Sequence, residues 1–198
     1  MSVLDTTYIT FEQFLEDETI DPHSEWVDGR VVPTQAVSDR HDEVVIWTKS
    51  VLNGLVTERG LGRILGEPFV AKLQDDLPGR SPDVMFVTTD RLGLIRGNHL
   101  HGPPDLAVEV VSASSRTRDT LHKRGEYEQA GVREYWLIDP DARQASFLVL
   151  ADGRLEPGPM QDGAFHSRVL PEAWIQPGWL FQTPMPKPLD VLRRWGVI

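Results

Sequence analysis

The chain contains no cysteine among its 198 residues. Disulfides and thiolate metal sites are therefore excluded. It has no apolar run near the roughly 20 residues of a membrane-spanning helix, and the start, Met-Ser-Val-Leu-Asp, lacks the basic and apolar regions of a secretory signal. A cytoplasmic protein with no membrane partner is the expectation. Basic residues are also few: 20 Lys and Arg against 30 Asp and Glu leave a net charge of −10. That balance argues against a general nucleic-acid coat, because phosphate binding is driven by cationic side chains. It leaves room for an enzyme whose acids surround a cation. There is no internal repeat, no low-complexity segment and no glycine-rich phosphate loop of the Walker type.

What is present is ordinary for a globular chain, 40% apolar and 25% charged. The length predicts a single domain over 1–198. Thr10-Phe11-Glu12-Gln13 has the spacing of a capping box and predicts a short helix over 10–18. Asp28-Gly29, inside 25–32, predicts a hairpin. Ser38 can cap a helix over 39–59 whose His41, Val44, Trp47 (or Thr48), Val51 and Leu55 share one face, with Gly60 as its stop. Three segments, 63–73, 82–88 and 104–112, have strand character, the last two apolar enough for central strands covered on both sides. A helix over 117–130, ended by Gly131, then a strand over 134–140 and a hairpin of 144–150 with 154–160 follow. The tail, 171–198, is rich in Pro and Trp and is expected to wrap the domain or a partner. The fold class is therefore α/β, a mixed central sheet flanked by helices with added β-hairpins.

Two acids interrupt the central strands. Asp83 opens Ser81-Pro82-Asp83-Val84-Met85-Phe86-Val87, and Glu109 lies within Pro104-Asp105-Leu106-Ala107-Val108-Glu109-Val110-Val111-Ser112. A buried unpaired charge costs several kcal/mol, on the order of 3–5, so both need partners. If the strands are neighbours, the two carboxylates lie side by side. Glu109 sits roughly 10 Å back from its strand end, and Lys123 lies roughly 6–8 Å into the returning helix. The lysine therefore arrives at the level of the acids. Two carboxylates suit Mg²⁺, which takes one or two such ligands and keeps several waters. The ion lowers the pKa of bound water, and an ammonium can orient that water or stabilise developing charge. Glu25, on the hairpin arm, could supply a further acid. Arg116 and Arg118, in the densest basic stretch, are candidates for phosphate contact. His41 is a possible accessory group. His99, His101 and Asp105 are too irregularly spaced for a metal cluster, and no histidine is placed to activate Ser112, Ser114 or Ser115 as a nucleophile.

Pro82-Asp83, Glu109-Val110-Val111-Ser112, Lys123, Tyr127, Gly131-Val132 and Glu134-Tyr135-Trp136-Leu137-Ile138-Asp139-Pro140 together resemble the Uma2 family, a domain of unknown function placed among the PD-(D/E)XK restriction-endonuclease-like nucleases. Glu25-Trp26-Val27-Asp28-Gly29 and His41 also resemble family positions. The resemblance spans about 8–182, the core of the domain, and is most specific over 104–140. It implies a Mg²⁺-dependent endonuclease, with Mn²⁺ able to substitute, acting on DNA through Asp83, Glu109, Lys123 and Glu25. The chain departs from the parent nuclease pattern at Val111, where a lysine would stand; the resemblance implies that Lys123 supplies that amine. A homodimer or higher homo-oligomer is expected, because two strand breaks need two sites.

Two rivals stay open. One is a catalytically silent nucleic-acid-binding or scaffold module, in which Asp83, Glu109 and Lys123 neutralise one another. The other is a metal-dependent hydrolase of RNA or small phosphoesters. A glycosidase using the paired acids is a distant third, since its chemistry needs no lysine.

Overall fold

The computed structural model describes residues 8–34, 36–112 and 122–198. Along the chain these form α1 (Phe11–Glu16), β1 (Ser24–Val27), β2 (Arg30–Pro33), α2 (Asp39–Arg59), β3 (Gly62–Leu65), β4 (Val70–Lys72), β5 (Gly79–Arg80), β6 (Val84–Thr88), β7 (Ile95–Arg96), β8 (His99–His101), β9 (Leu106–Val110), α3 (Arg124–Ala130), β10 (Glu134–Asp139), β11 (Gln144–Ala151), β12 (Arg154–Pro157), β13 (Met160–Gln161), β14 (Ala164–His166), β15 (Trp174–Ile175) and α4 (Pro188–Arg194).

Local chemistry explains the elements that were legible. The Thr10 hydroxyl accepts from the Gln13 N–H and the Gln13 side chain accepts from the Thr10 N–H, closing the capping box. Asp28 and Gly29 both take positive φ, 49° and 77°, as a two-residue hairpin turn requires. Ser38 caps α2 by accepting from the His41 N–H, and Gly60 ends it in the left-handed region.

Six strands form the central sheet in the order β12-β11-β10-β9-β6-β3, with β9 and β10 parallel and the rest antiparallel. Alternation sorts its side chains cleanly. Val84, Phe86, Leu106, Val108, Val110, Trp136 and Ile138 face α2 and the C-terminal segment. Met85, Val87, Ala107 and Tyr135 face the other way, onto Tyr127, Ala130 and Val132 at α3 and the loop after it. Glu109 shares the parity of Ala107, so it belongs to the α3 face. A second sheet, β2-β1-β5-β4-β8-β7, carries the hairpin arm, and α1 packs Phe11 and Phe14 against Val70, Trp26 and Val31.

Two expectations change. The segment 63–73 is not one strand. β3 ends at Leu65, and β4 joins the second sheet. The break falls at Gly66, where a Cβ would lie 2.2 Å from the Asp83 carbonyl oxygen; only glycine allows this close pass before the chain leaves the sheet. The strand begun at Arg154 stops at Pro157, and Met160–Gln161 joins a small third sheet, β13-β14-β15. The tail packs against the domain, its short α4 placing Val191 and Leu192 in the core beside α2. Gly54 lets Leu192 come close: a Cβ there would meet Leu192 Cδ1 at 2.6 Å and the leucine would have to turn aside. Of the helix expected over 117–130, the part before residue 122 lies outside the described residues.

Candidate active site

The strand register brings the two acids together. β6 and β9 pair Val84 with Val108; one residue further, the same register sets Asp83 opposite Glu109. Asp83 Oδ2 accepts the Val110 N–H at 2.6 Å, which locks the first carboxylate onto the strand that carries the second. Pro82 and Gly66–Glu67 brace the same corner, since the Glu67 N–H donates to the Pro82 carbonyl at 2.9 Å.

Lys123 points inward. Its backbone is helical, φ −60° and ψ −38°, at the start of α3. Its Nζ donates to Glu109 Oε2 at 2.9 Å and lies 3.1 Å from Glu25 Oε1. Glu25, Glu109 and Lys123 are 1%, 3% and 4% exposed, so this is a buried ionic centre. Tyr127, one turn along α3, donates its hydroxyl to Glu109 Oε1 at 2.6 Å. Burial, followed by the Glu109 charge and hydrogen bond, raises the phenol well above its ordinary pKa. Tyr127 therefore stays a donor and holds the Glu109 side chain in one orientation.

Arg80 closes the network from outside. Its Nη1 bonds Glu25 Oε2 at 2.8 Å, and its Nε and Nη2 grip Glu126 Oε2 and Oε1, each at 2.7 Å. Burial alone would lower the guanidinium pKa, but the hydrogen bonds to Glu126 and the Glu25 charge outweigh it, and the net shift is upward. The Ser81 N–H also approaches Glu25 Oε1 at 3.4 Å. The hairpin acid is thus held by Arg80 on one oxygen and faces Lys123 with the other.

On the α2 side of Asp83 a cleft of about 420 Å³ opens, lined by His23, Thr34, His41, Lys49, Glu67 and Asp83 among others. His41 Nε2 lies 3.7 Å from Asp83 Oδ1. Burial, the largest cause, pushes the Asp83 carboxyl up to about 6, opposed by His41, the Val110 N–H and Lys123 and reinforced by the Glu67 charge. Glu67 Oε1 on the far wall takes the Thr34 hydroxyl at 3.0 Å and approaches His23 Nδ1 at 3.3 Å.

Asp83 and Glu109 are the carboxylates that could hold a divalent cation. Among the described residues no group of three or more His, Asp or Glu side chains is arranged to hold an ion. Two carboxylates opposite one another in the sheet, one of them facing an open cleft, match the habit of Mg²⁺, which binds one or two carboxylates and keeps water on its other positions. Buried polar atoms without a hydrogen-bond partner, including His41 Nδ1 and the hydroxyls of Ser24, Thr48 and Ser81, occur on the segments that build this corner.

Of the residues singled out from sequence, the fold gathers Asp83, Glu109, Lys123, Glu25 and His41 into one corner. Arg116 and Arg118 lie outside the described residues. Asp105 is committed to structure, its carboxylate held by Arg91 at 2.8 Å, Arg133 at 3.3 Å and the Thr88 N–H at 2.9 Å. Arg80, Glu126 and Glu67 escaped sequence reading. Arg80 left one usable signal, a lone arginine next to the Ser81-Pro82-Asp83 turn; Glu126 and Glu67 left none. No helix among the described residues is long and apolar enough to cross a membrane.

Comparison with known proteins bears on the fold and the family. A crystal structure of a putative nuclease belonging to DUF820 from Anabaena variabilis ATCC 29413 superposes with a TM-score of 0.68 and 21% identity, covering 87% of this chain and 97% of that one. That likeness is one of fold, a mixed α/β arrangement with helices flanking the sheet. No curated protein matches the chain in sequence. Residues 10–180 match the family model Uma2, described as "Putative restriction endonuclease". Matched over nearly its whole length, the chain belongs to the Uma2 family.

Proposed function

We propose that the protein is a divalent-metal-dependent endonuclease that hydrolyses DNA phosphodiester bonds. The observation that carries this reading is the position of Lys123: a helix-borne amine, buried, between Glu109 and Glu25 and next to Asp83. That placement supports the reading that Lys123 supplies the amine missing at the apolar Val111.

Asp83 and Glu109 would hold Mg²⁺ or Mn²⁺. When bound, such an ion lowers the pKa of water and neutralises charge on the phosphoryl oxygens. Asp83 is fixed by the Val110 N–H, so it presents its Oδ1 edge to the cleft without reorganisation. Tyr127 and Lys123 hold Glu109 from two sides. Lys123, between two carboxylates, offers N–H donors to a water or a phosphoryl oxygen. Glu25, gripped by Arg80, fixes the amine's height. The 420 Å³ cleft beside Asp83 has room for a phosphodiester linkage and its flanking sugar. Arg116 and Arg118 are the proposed phosphate contacts that offset an acidic surface. The reading extends to a homodimer or higher homo-oligomer, since two strand breaks need two sites, and to a cytoplasmic location, where a cysteine-free chain needs no oxidising compartment.

The test is cleavage of plasmid, linear and single-stranded DNA with Mg²⁺ and Mn²⁺, comparing wild type with Asp83→Asn and Lys123→Met. Both variants should lose at least about 100-fold in rate, the scale of removing one preorganised charge-stabilising group. Equal nicking by all three proteins would assign the activity to a contaminant. Adding RNA and small phosphodiesters to the panel decides substrate class.

One observation favours a second reading, a silent nucleic-acid-binding or scaffold module. Both Glu109 oxygens already accept hydrogen bonds, from Tyr127 and Lys123, as in a self-neutralised centre. Calorimetry at millimolar Mg²⁺ and Mn²⁺ separates the two, because the silent module binds neither.

A further inference from the structure

Lys49 reaches the acidic corner without pairing with it. It is half-buried on α2 and lines the cleft over Asp83 together with Asp42 and Glu67. Among the described residues its amine makes no ion pair or hydrogen bond. The other inward-facing lysines are committed. Lys72 Nζ donates to the Asp75 and Leu77 carbonyls and lies 4.3 Å above the Trp26 ring, and Lys123 sits between two acids. Gly66 makes room for the Lys49 stem. A Cβ at position 66 would lie 2.9 Å from Lys49 Cε and 2.2 Å from the Asp83 carbonyl oxygen. The missing side chain leaves the space in which the stem passes beside the end of the strand that carries Asp83.

Beyond Lys49 the groove continues. A second cleft of about 370 Å³ lies between α2 and β3, lined by Lys49, Ser50, Asn53, Ile64, Leu65 and Gly66. No acid lines it, although the chain carries a net charge of −10. β3 is an edge of the central sheet, so no further strand closes this side. Lys49 lines both clefts and stands where they meet. Asp42, Val45, Lys49 and Asn53 recur at helical spacing and share one face of α2. From Asp42 to Asn53 that face runs roughly 16 Å at about 1.5 Å per residue. One strand of a duplex carries a phosphate every 3.4 Å or so of axis, so this length matches about four or five phosphates. It exceeds what a small phosphoester would fill. The acids of the first cleft repel such a strand, and a cation at the junction offsets them.

We propose that Lys49 binds a backbone phosphate next to the one at Asp83, and that a DNA strand runs from the Asp83 cleft across Lys49 into the cleft beside β3. The inference rests on the nuclease reading above and deepens it: the substrate is a strand of several nucleotides, not a small phosphoester. Lys49 holds a phosphate that does not react, so it sets affinity and register and leaves the chemical step to the acids and Lys123.

The experiment titrates a fluorescein-labelled single-stranded DNA oligonucleotide with the full chain, in EDTA and across a range of salt. Fluorescence anisotropy reads affinity and its salt slope for wild type, Lys49→Met, Lys49→Arg and Lys187→Met. Lys49→Met keeps the apolar stem and removes the charge; Lys187→Met makes the same charge change at an exposed position beside α4. Lys49→Met should bind roughly tenfold more weakly, the low end for a hydrogen bond to a charged group. Its salt slope should be shallower by about 0.7, the value for one phosphate on a single strand. Lys49→Arg and Lys187→Met should keep the wild-type slope. A merely structural role for Lys49 would move the melting temperature and leave the slope unchanged. An unchanged slope in Lys49→Met, an equal loss in Lys49→Arg or Lys187→Met, or no binding by wild type overturns the proposal. Plasmid cleavage with Mg²⁺ is read in parallel. Lys49-dependent binding without cleavage would uphold the strand path and reject the nuclease reading; cleavage with binding indifferent to Lys49 would do the reverse.

Discussion

Arg80→Met tests whether the site is held together from its back wall. Arg80 is 2% exposed and makes three charged hydrogen bonds, one to Glu25 and two to Glu126. Methionine fills similar apolar volume and removes the charge. Glu25, with a side chain 1% exposed, then keeps Lys123 but loses the cation on its other oxygen. Removing one partner of a buried ion pair costs about 3–5 kcal/mol, because the remaining charge cannot return to water. The Glu126 side chain is 18% exposed and recovers part of its hydration, so the loss belongs mainly to Glu25. For a chain of this size each kcal/mol moves the Tm by about 2–4 °C. A fall of roughly 6–20 °C follows from these figures. Thermal and urea melts of wild type, Arg80→Met, Glu25→Gln and the double variant measure it. The double variant should recover part of the loss, with a coupling of about 0.5–3 kcal/mol. Arg80→Lys should fall between, since an ammonium cannot grip Glu126 with two donors while reaching Glu25. A loss under about 1 kcal/mol for Arg80→Met, well below the buried-pair range, would refute this account of the back wall.

Three further outcomes are expected. Asp83 has a folded pKa of about 6 against an ordinary 3.8, so between those values the folded chain keeps a proton that the unfolded chain has released. Stability therefore falls as pH rises across that window, by on the order of 3 kcal/mol. Asp83→Asn removes the dependence; urea melts at pH 4.5, 5.5 and 7 should show the variant gaining on wild type as pH rises, and parallel profiles would reject the assignment. Gly66→Ala places a Cβ 2.2 Å from the Asp83 carbonyl oxygen. The forced backbone shift should cost about 1–3 kcal/mol and weaken metal binding, read by melts and by Mn²⁺ calorimetry; Gly93→Ala, where a Cβ meets open space, is the control. Glu134 is fully buried and accepts from Trp136 Nε1 at 2.7 Å and from the Arg168 and Val169 N–H groups at 2.8 and 3.3 Å. Glu134→Ala strands those donors at about 1–3 kcal/mol each and should open the 164–175 segment to limited proteolysis; an unchanged cleavage pattern would show that packing alone holds it.

Comparing sequence with structure, what was legible was local. The Thr10–Gln13 box, the Asp28-Gly29 turn, and the Ser38 cap with its Gly60 stop each depend on residues within a few positions, so each could be read directly. The two central strands were legible because alternation and apolarity are properties of a short window. Alternation likewise groups Glu109 with Ala107, but that α3 covers this face is a result of the fold. The break at Gly66 was not readable, because a run of strand-forming residues does not state which sheet each half joins. The third sheet escaped for the same reason: Met160 pairs with Phe165, but nothing near either residue separates that pairing from a longer β12.

By itself the sequence determined the chemistry available: two acids in apolar strands, a lysine on the following helix and a histidine at a helix start, with no thiol to compete. Only the tertiary structure decided what those groups do to one another. Arg80 reaches Glu25 and Glu126 across 55 and 46 residues, and the Lys123 amine spans two acids that lie far apart in the chain. Such pairings depend on how sheets stack, which no local pattern encodes. The direction of Lys123 and the unsatisfied ring of His41 were settled in the same way, by which elements the core brings together and how closely.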